Sequence, residues 1–136
     1  MALVHYKRAL AGNGSAAEVH NNMGGVLLQL GRVVEAVAHL RHAIEIRPDF
    51  FAARLQTGRA LVASGQSAAA LAHLRRAVEI RPQDITARME LAGVLLQVGR
   101  YDEAVVQGEW VLTVAPERKE ARKLLRVARK NAQRKH

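Results

Sequence analysis

Along this chain the apolar residues come in short helical runs that break at regular places. In Ala17–Phe50, the residues His20, Met23, Gly24 and Leu27 recur at i, i+3, i+4 and i+7, the spacing of one helix face. Gly31 ends the run, because glycine takes the left-handed conformation that closes helices at little cost. A second run begins near Val34 and carries Ala36, Leu40, Ala43 and Ile44 on one face. Pro48 then disfavours helix at Arg47, and with Asp49 it resets the chain for a new helix. The same 34-residue pattern returns without a gap in Phe51–Asp84 and in Ile85–Arg118.

Counted from the first residue of each stretch, position 8 is small (Gly24, Gly58, Ala92) and position 11 is leucine (Leu27, Leu61, Leu95). Position 15 is Gly31, Gly65 and Gly99, position 20 is Ala36, Ala70 and Ala104, and position 32 is Pro48, Pro82 and Pro116. Self-similarity at a fixed period of this size predicts stacked helix pairs. Small residues at positions 8 and 20 let two helix axes approach closely, and each pair needs neighbours to bury its remaining apolar surface.

These columns, with a large apolar residue at 24 and Ala at 27, resemble the tetratricopeptide repeat (TPR) family over residues 17–118. The resemblance implies an all-α fold, a right-handed superhelix of antiparallel helix pairs whose first helices line a concave groove. The expected organisation is three repeats at 17–50, 51–84 and 85–118. Residues 1–16 extend the frame backwards as the second half of a preceding repeat, with Tyr6 and Ala9 at positions 24 and 27. Residues 119–136 read as a basic closing helix, amphipathic over Lys119–Asn131, with a frayed tail.

Two departures stand out. Position 4, often Trp in the family, is His20, Arg54 and Arg88. In the third repeat position 24 is Gly108, and the lone tryptophan, Trp110, is expected to cover the space it leaves and to meet the closing helix.

A second stripe on each first helix is largely apolar or small, where a purely solvated face would be charged. It places Asn21, Leu28, Leu55, Arg59, Val62, Met89 and Leu96 along a band, with Asn22, Gln29, Gln56, Arg59, Glu90 and Gln97 as polar points. This predicts a groove for an extended peptide or an amphipathic helix, with Leu55, Met89 and Leu96 supplying affinity. The competing reading is that position 12 (Leu28, Val62, Leu96) only packs between repeats. The family's clamp for C-terminal carboxylates needs cations that are missing here, since the matching positions hold Asn21, Gly25, Gln56, Thr86 and Glu90. The asparagine ladder of the repeats found in Ser/Thr glycosyltransferases is matched at Asn22 but not at Gln56 or Glu90. A targeting segment of a larger enzyme, such as a glycosyltransferase, therefore stands as the alternative to a free-standing interaction module.

Charge changes this picture at one end only. The net charge is +9, but residues 17–118 are neutral and residues 119–136 carry +7. Lys119, Arg122, Lys123, Arg126, Arg129 and Lys130 could contact nucleic-acid phosphates or an anionic membrane. With no aromatic residue among them, sequence-specific reading is not expected, and a cationic solubilising cap is the plainer account.

The absence of cysteine excludes disulfides and thiolate chemistry. His5, His39 and His73 recur at position 23, but metal–nitrogen bonds of about 2 Å cannot span repeats that lie about 8–10 Å apart. They are expected to lie between helices or at the surface. Asp102 and Glu103 open a helix, where negative charge suits the dipole. No nucleophile, phosphate loop or metal-ligand motif suggests catalysis or a cofactor. Neither a signal peptide nor a membrane span of about 20 residues is present, and the expected setting is cytoplasmic. The expected partner is a protein or peptide, with self-association through the open half repeat as a further expectation.

Overall fold

A computed structural model of the chain describes residues 16–135; the expected half repeat at residues 1–16 lies, except for Ala16, outside them. The described residues form seven α-helices and no strands: α1 (Ala16–Gln29), α2 (Val33–Ile46), α3 (Phe51–Ala63), α4 (Ser67–Ile80), α5 (Ile85–Gln97), α6 (Tyr101–Val114) and α7 (Lys119–Lys135). They belong to two compact units, Met1–Ile80 and Arg81–His136. None of these helices is long and apolar enough to cross a membrane.

In the first unit α1 packs on α2 and α3 on α4, while α3 also touches α1 and α2. The buried residues are the repeated columns: Met23 and Leu27 on α1, Ala36, Leu40 and Ala43 on α2, Leu61 on α3, Ala70, Leu74 and Ala77 on α4. Position 8 is small for a specific reason. A Cβ added at Gly24 would lie 2.5 Å from Leu40 Cγ, and one at Gly58 would lie 2.6 Å from Leu74 Cδ2. Each glycine therefore makes the socket for the leucine of the partner helix.

In the second unit α5 packs on α6, and α7 on α6 and α5. Here the large and small residues are rearranged. Position 8 is Ala92, position 24 is Gly108, and a Cβ on Gly108 would lie 2.9 Å from Leu125 Cγ of α7. The space beside Gly108 is thus filled by Leu125, not by Trp110 as the sequence suggested. Trp110 lies instead under the Arg88 guanidinium, 4.2 Å from the ring centroid. Helix α7 buries Ala121, Leu125 and Ala128. It continues to Lys135, past the expected end at Asn131, and so includes most of the tail expected to fray.

The helix ends follow from three glycines. Gly31, Gly65 and Gly99 have φ of 76°, 79° and 82°. After α1, Gly31 N–H donates to Leu28 O (3.0 Å) and Arg32 N–H to Leu27 O (2.8 Å), the paired bonds of a Schellman turn. The same pairs close α3 and α5, with Gln66 N–H to Leu61 O (2.7 Å) and Arg100 N–H to Leu95 O (2.8 Å). Backbone acceptors are thereby satisfied where the chain reverses. Asp84 starts α5 by accepting from Ala87 N–H (2.8 Å).

Candidate functional site

On the first unit, α1 and α3 together form a cavity of about 600 Å³. Its polar wall is Asn21, Asn22, Gln29, Gln56 and Arg59, and its apolar wall is Val26, Leu28, Ala63 and the bare backbone of Gly25. The Gln56 amide donates to Asn21 Oδ1 (2.6 Å) and to the Asn21 carbonyl (3.3 Å). This pairing fixes both side chains and explains how Asn21, only 7% exposed, tolerates burial. It also depends on Gly25, where an added Cβ would lie 2.6 Å from Gln56 Oε1. Asn22 and Arg59 are exposed at the rim, and Leu28 is half-buried. The arrangement can bind but has no nucleophile or general base; its groups are amides, one guanidinium and short apolar walls.

One expected groove residue lies in the core. Leu55 is 7% exposed and does not line the cavity. The physical reason is that α3 is packed by α1, α2 and α4, and it buries Phe51, Ala53, Leu55, Thr57, Gly58, Ala60 and Leu61 around most of its circumference. A second apolar stripe on such a helix is core. Val62 is half-buried and also lies outside the cavity lining. Val26 and Ala63, which do line it, fall one position to the side of the predicted stripe. In the second unit, Met89, Glu90 and Leu96 are half-buried and Gln97 is exposed, all on α5.

A polar seam that the sequence did not reveal joins position 4 to position 23 within each helix pair. His20 Nδ1 lies 3.0 Å from His39 Nδ1, Arg54 Nη1 lies 3.3 Å from His73 Nδ1, and Arg88 Nη1 donates to Gln107 Oε1 at 3.0 Å. Arg54 and Arg88 each also donate from Nε, at 2.9 Å, to the carbonyl of the preceding turn proline, Pro48 or Pro82. Arginine therefore ties turn to helix where the family often has tryptophan. His42 stacks on His20 with centroids 5.1 Å apart. Burial, then the neighbouring His39 and His42, hold the His20 pKa below the usual histidine value. Burial, then Arg54 and Arg41, do the same at His73. Among the described residues no group of three His, Cys, Asp or Glu side chains could hold a metal ion.

On α7 the predicted basic residues Lys119, Arg122, Lys123, Arg126, Arg129 and Lys130 are all exposed. Arg129 pairs with Glu109 of α6 at 2.9 Å.

Comparison with known proteins agrees with this repeat architecture. Two tetratricopeptide repeat models match the chain, over residues 15–83 and 61–107. The chain belongs to the tetratricopeptide repeat family. A comparison with curated protein sequences finds no match. Among solved structures, MamA from Desulfovibrio magneticus RS-1 superposes with a TM-score of 0.82 at 24% identity, over 90% of this chain and 70% of that one. The first TPR of Spaghetti (RPAP3), solved with the HSP90 peptide SRMEEVD, has a TM-score of 0.82 at 19% identity, over 89% and 96%. The P58(IPK) TPR domain has a TM-score of 0.76 at 29% identity, over 84% of this chain and 33% of that one.

Proposed function

We propose that the protein is a non-catalytic interaction module that holds a peptide segment of a partner protein on the α1–α3 face of its first unit. The observation that carries this reading is the 600 Å³ cavity, whose polar wall is set by the Gln56–Asn21 pairing. Side-chain amides at Asn22, Gln29 and Gln56 offer both donors and acceptors, which suits the main chain of a bound peptide. Leu28 and Val26 supply apolar contact, and Arg59 adds a cation at the rim. Family membership supports the same reading, as does the peptide-bound RPAP3 neighbour. In the second unit, Met89, Glu90, Leu96 and Gln97 are the residues assigned to peptide contact on α5.

A Gly25 side chain would close the cavity and meet first the free end of Gln56, at the cost of the Gln56–Asn21 pairing, so circular dichroism serves as the folding control. Peptides selected from a displayed library on the intact chain are expected to lose at least about tenfold in affinity on Gly25→Leu, since the side chain fills the cavity. Asn22→Ala is expected to cost less. Selected peptides that bind Gly25→Leu as tightly as the parent would reject this face as the site.

A further inference from the structure

The first helix of every pair uses one face to receive its partner. On α1, His20 and Gly24 meet His39 and Leu40 of α2; on α3, Arg54 and Gly58 meet His73 and Leu74 of α4. On α5, Arg88 reaches Gln107 of α6. Helix α7 continues the same sequence frame, and the matching positions 4, 8 and 11 hold Arg122, Arg126 and Arg129. Within its unit no helix covers this face. Between α7 and α6 it opens a cavity of about 410 Å³, with Leu112 and Leu125 among its lining and Arg122, Arg126, Arg129 and Lys130 around it. Arg129 is tied to Glu109, whereas no acidic side chain among the described residues pairs with Arg122, Arg126 or Lys130.

We propose that this face seats an acidic amphipathic helix of a partner protein, lying where the second helix of a pair would lie. The half-buried Leu112 inside this cationic rim complements a helix whose apolar stripe is flanked by Asp or Glu. The other occupants fit less well. Helix α7 has no aromatic side chain on which bases could stack, so a nucleic acid would be held by the cationic rim alone. Its own apolar stripe of Ala121, Leu125 and Ala128 is already buried, leaving little to insert into a membrane. A second copy offering its residues 1–16 would bring Lys7 and Arg8 and no acidic residue towards Arg122 and Arg126, a like-charge approach that is disfavoured. The seat differs from the α1–α3 cavity in both charge and unit, so either can fail without the other.

The test is a displayed library of 14-residue helices, the length of α2 and α6, with Leu and Ala fixed on one stripe and Glu, Lys, Ser and Ala varied elsewhere. Sorted on the full chain, it should return clones rich in Glu beside the stripe. Synthetic versions should lose at least about tenfold in affinity on Arg122→Glu/Arg126→Glu, weaken with added salt, and fail when their order is scrambled at constant charge. Circular dichroism and Trp110 emission serve as folding controls, and Lys130→Glu is the second variant, expected to weaken binding less. No acidic enrichment, or equal binding by the scrambled peptide or by the charge-reversed chain, would overturn the proposal. So would tighter, Arg122/Arg126-dependent binding of single-stranded DNA or phosphatidylserine vesicles than of the selected peptides. A parent dimer that the charge reversal dissociates would assign the seat to a second copy instead.

Discussion

Helices α3 and α7 present the same face of the repeat, and among the described residues only that of α3 is covered by a helix of its own unit. At the eighth position of α3, Gly58 leaves the socket that Leu74 enters; at the eighth position of α7, Arg126 stands in solvent. The glycine is therefore a requirement of the helix that packs on it, not of the helix that carries it. On α7 the same position holds an exposed arginine, Arg126, whose charge opposes the stacking of an uncharged helix there.

The largest expected effect breaks the buried member of this comparison. Gly58→Arg forces a long side chain against Leu74 and should destabilise the first unit by about 3 kcal/mol or more, whereas Arg126→Gly should cost only about 1 kcal/mol of helix propensity. Urea unfolding of the two variants measures both, and similar losses would contradict the assignment of the faces. Next in size are the chain reversals. Gly31→Ala or Gly65→Ala places a Cβ at positive φ and should cost about 1–2 kcal/mol. Gly93→Ala, inside α5 with open space around it, should instead stabilise by up to about 1 kcal/mol.

A smaller effect sharpens the contrast between the seams. His20 and His73 are held below the ordinary histidine pKa in the folded chain, so the unfolded chain binds more protons near its own value of about 6.5. Stability is then fully present above that pH and falls as acidification proceeds through the lowered folded values. Thermal melts should show this loss in the parent and less of it in His20→Gln. In the second unit the equivalent partner is Gln107, which does not titrate. Trp110 emission should therefore stay constant over the same range while the unit remains folded, and shift on Arg88→Ala, which removes the guanidinium above the ring.

Much of the fold was legible because three copies of one pattern repeat their constraints. Gly31, Gly65 and Gly99, and the small residues at position 8, each have one local or pairwise role that recurs. The candidate site was less legible for a physical reason. Helix α3 is apolar on most of its circumference, so nothing in its sequence separates Leu55, which is buried, from a residue that faces a groove. Gly25 was visible only as a small residue; that it admits Gln56 to Asn21 is a contact between two first helices. The His20–His39 seam was hidden in the same way, although a hydrogen-bonding residue at position 4 and another at position 23 of every repeat is a signal that reading across the columns could have found. Trp110 misled because a large residue near a glycine suggests filling, whereas Leu125 came from beyond the repeat.

The most direct test of the α1–α3 face is to follow backbone amide shifts by NMR as a selected peptide is added. The account predicts the largest changes at Asn22, Gly25, Gln29 and Gln56, and their loss in Gly25→Leu. Shifts centred on Arg122–Lys130 of α7, or unchanged by Gly25→Leu, would contradict it.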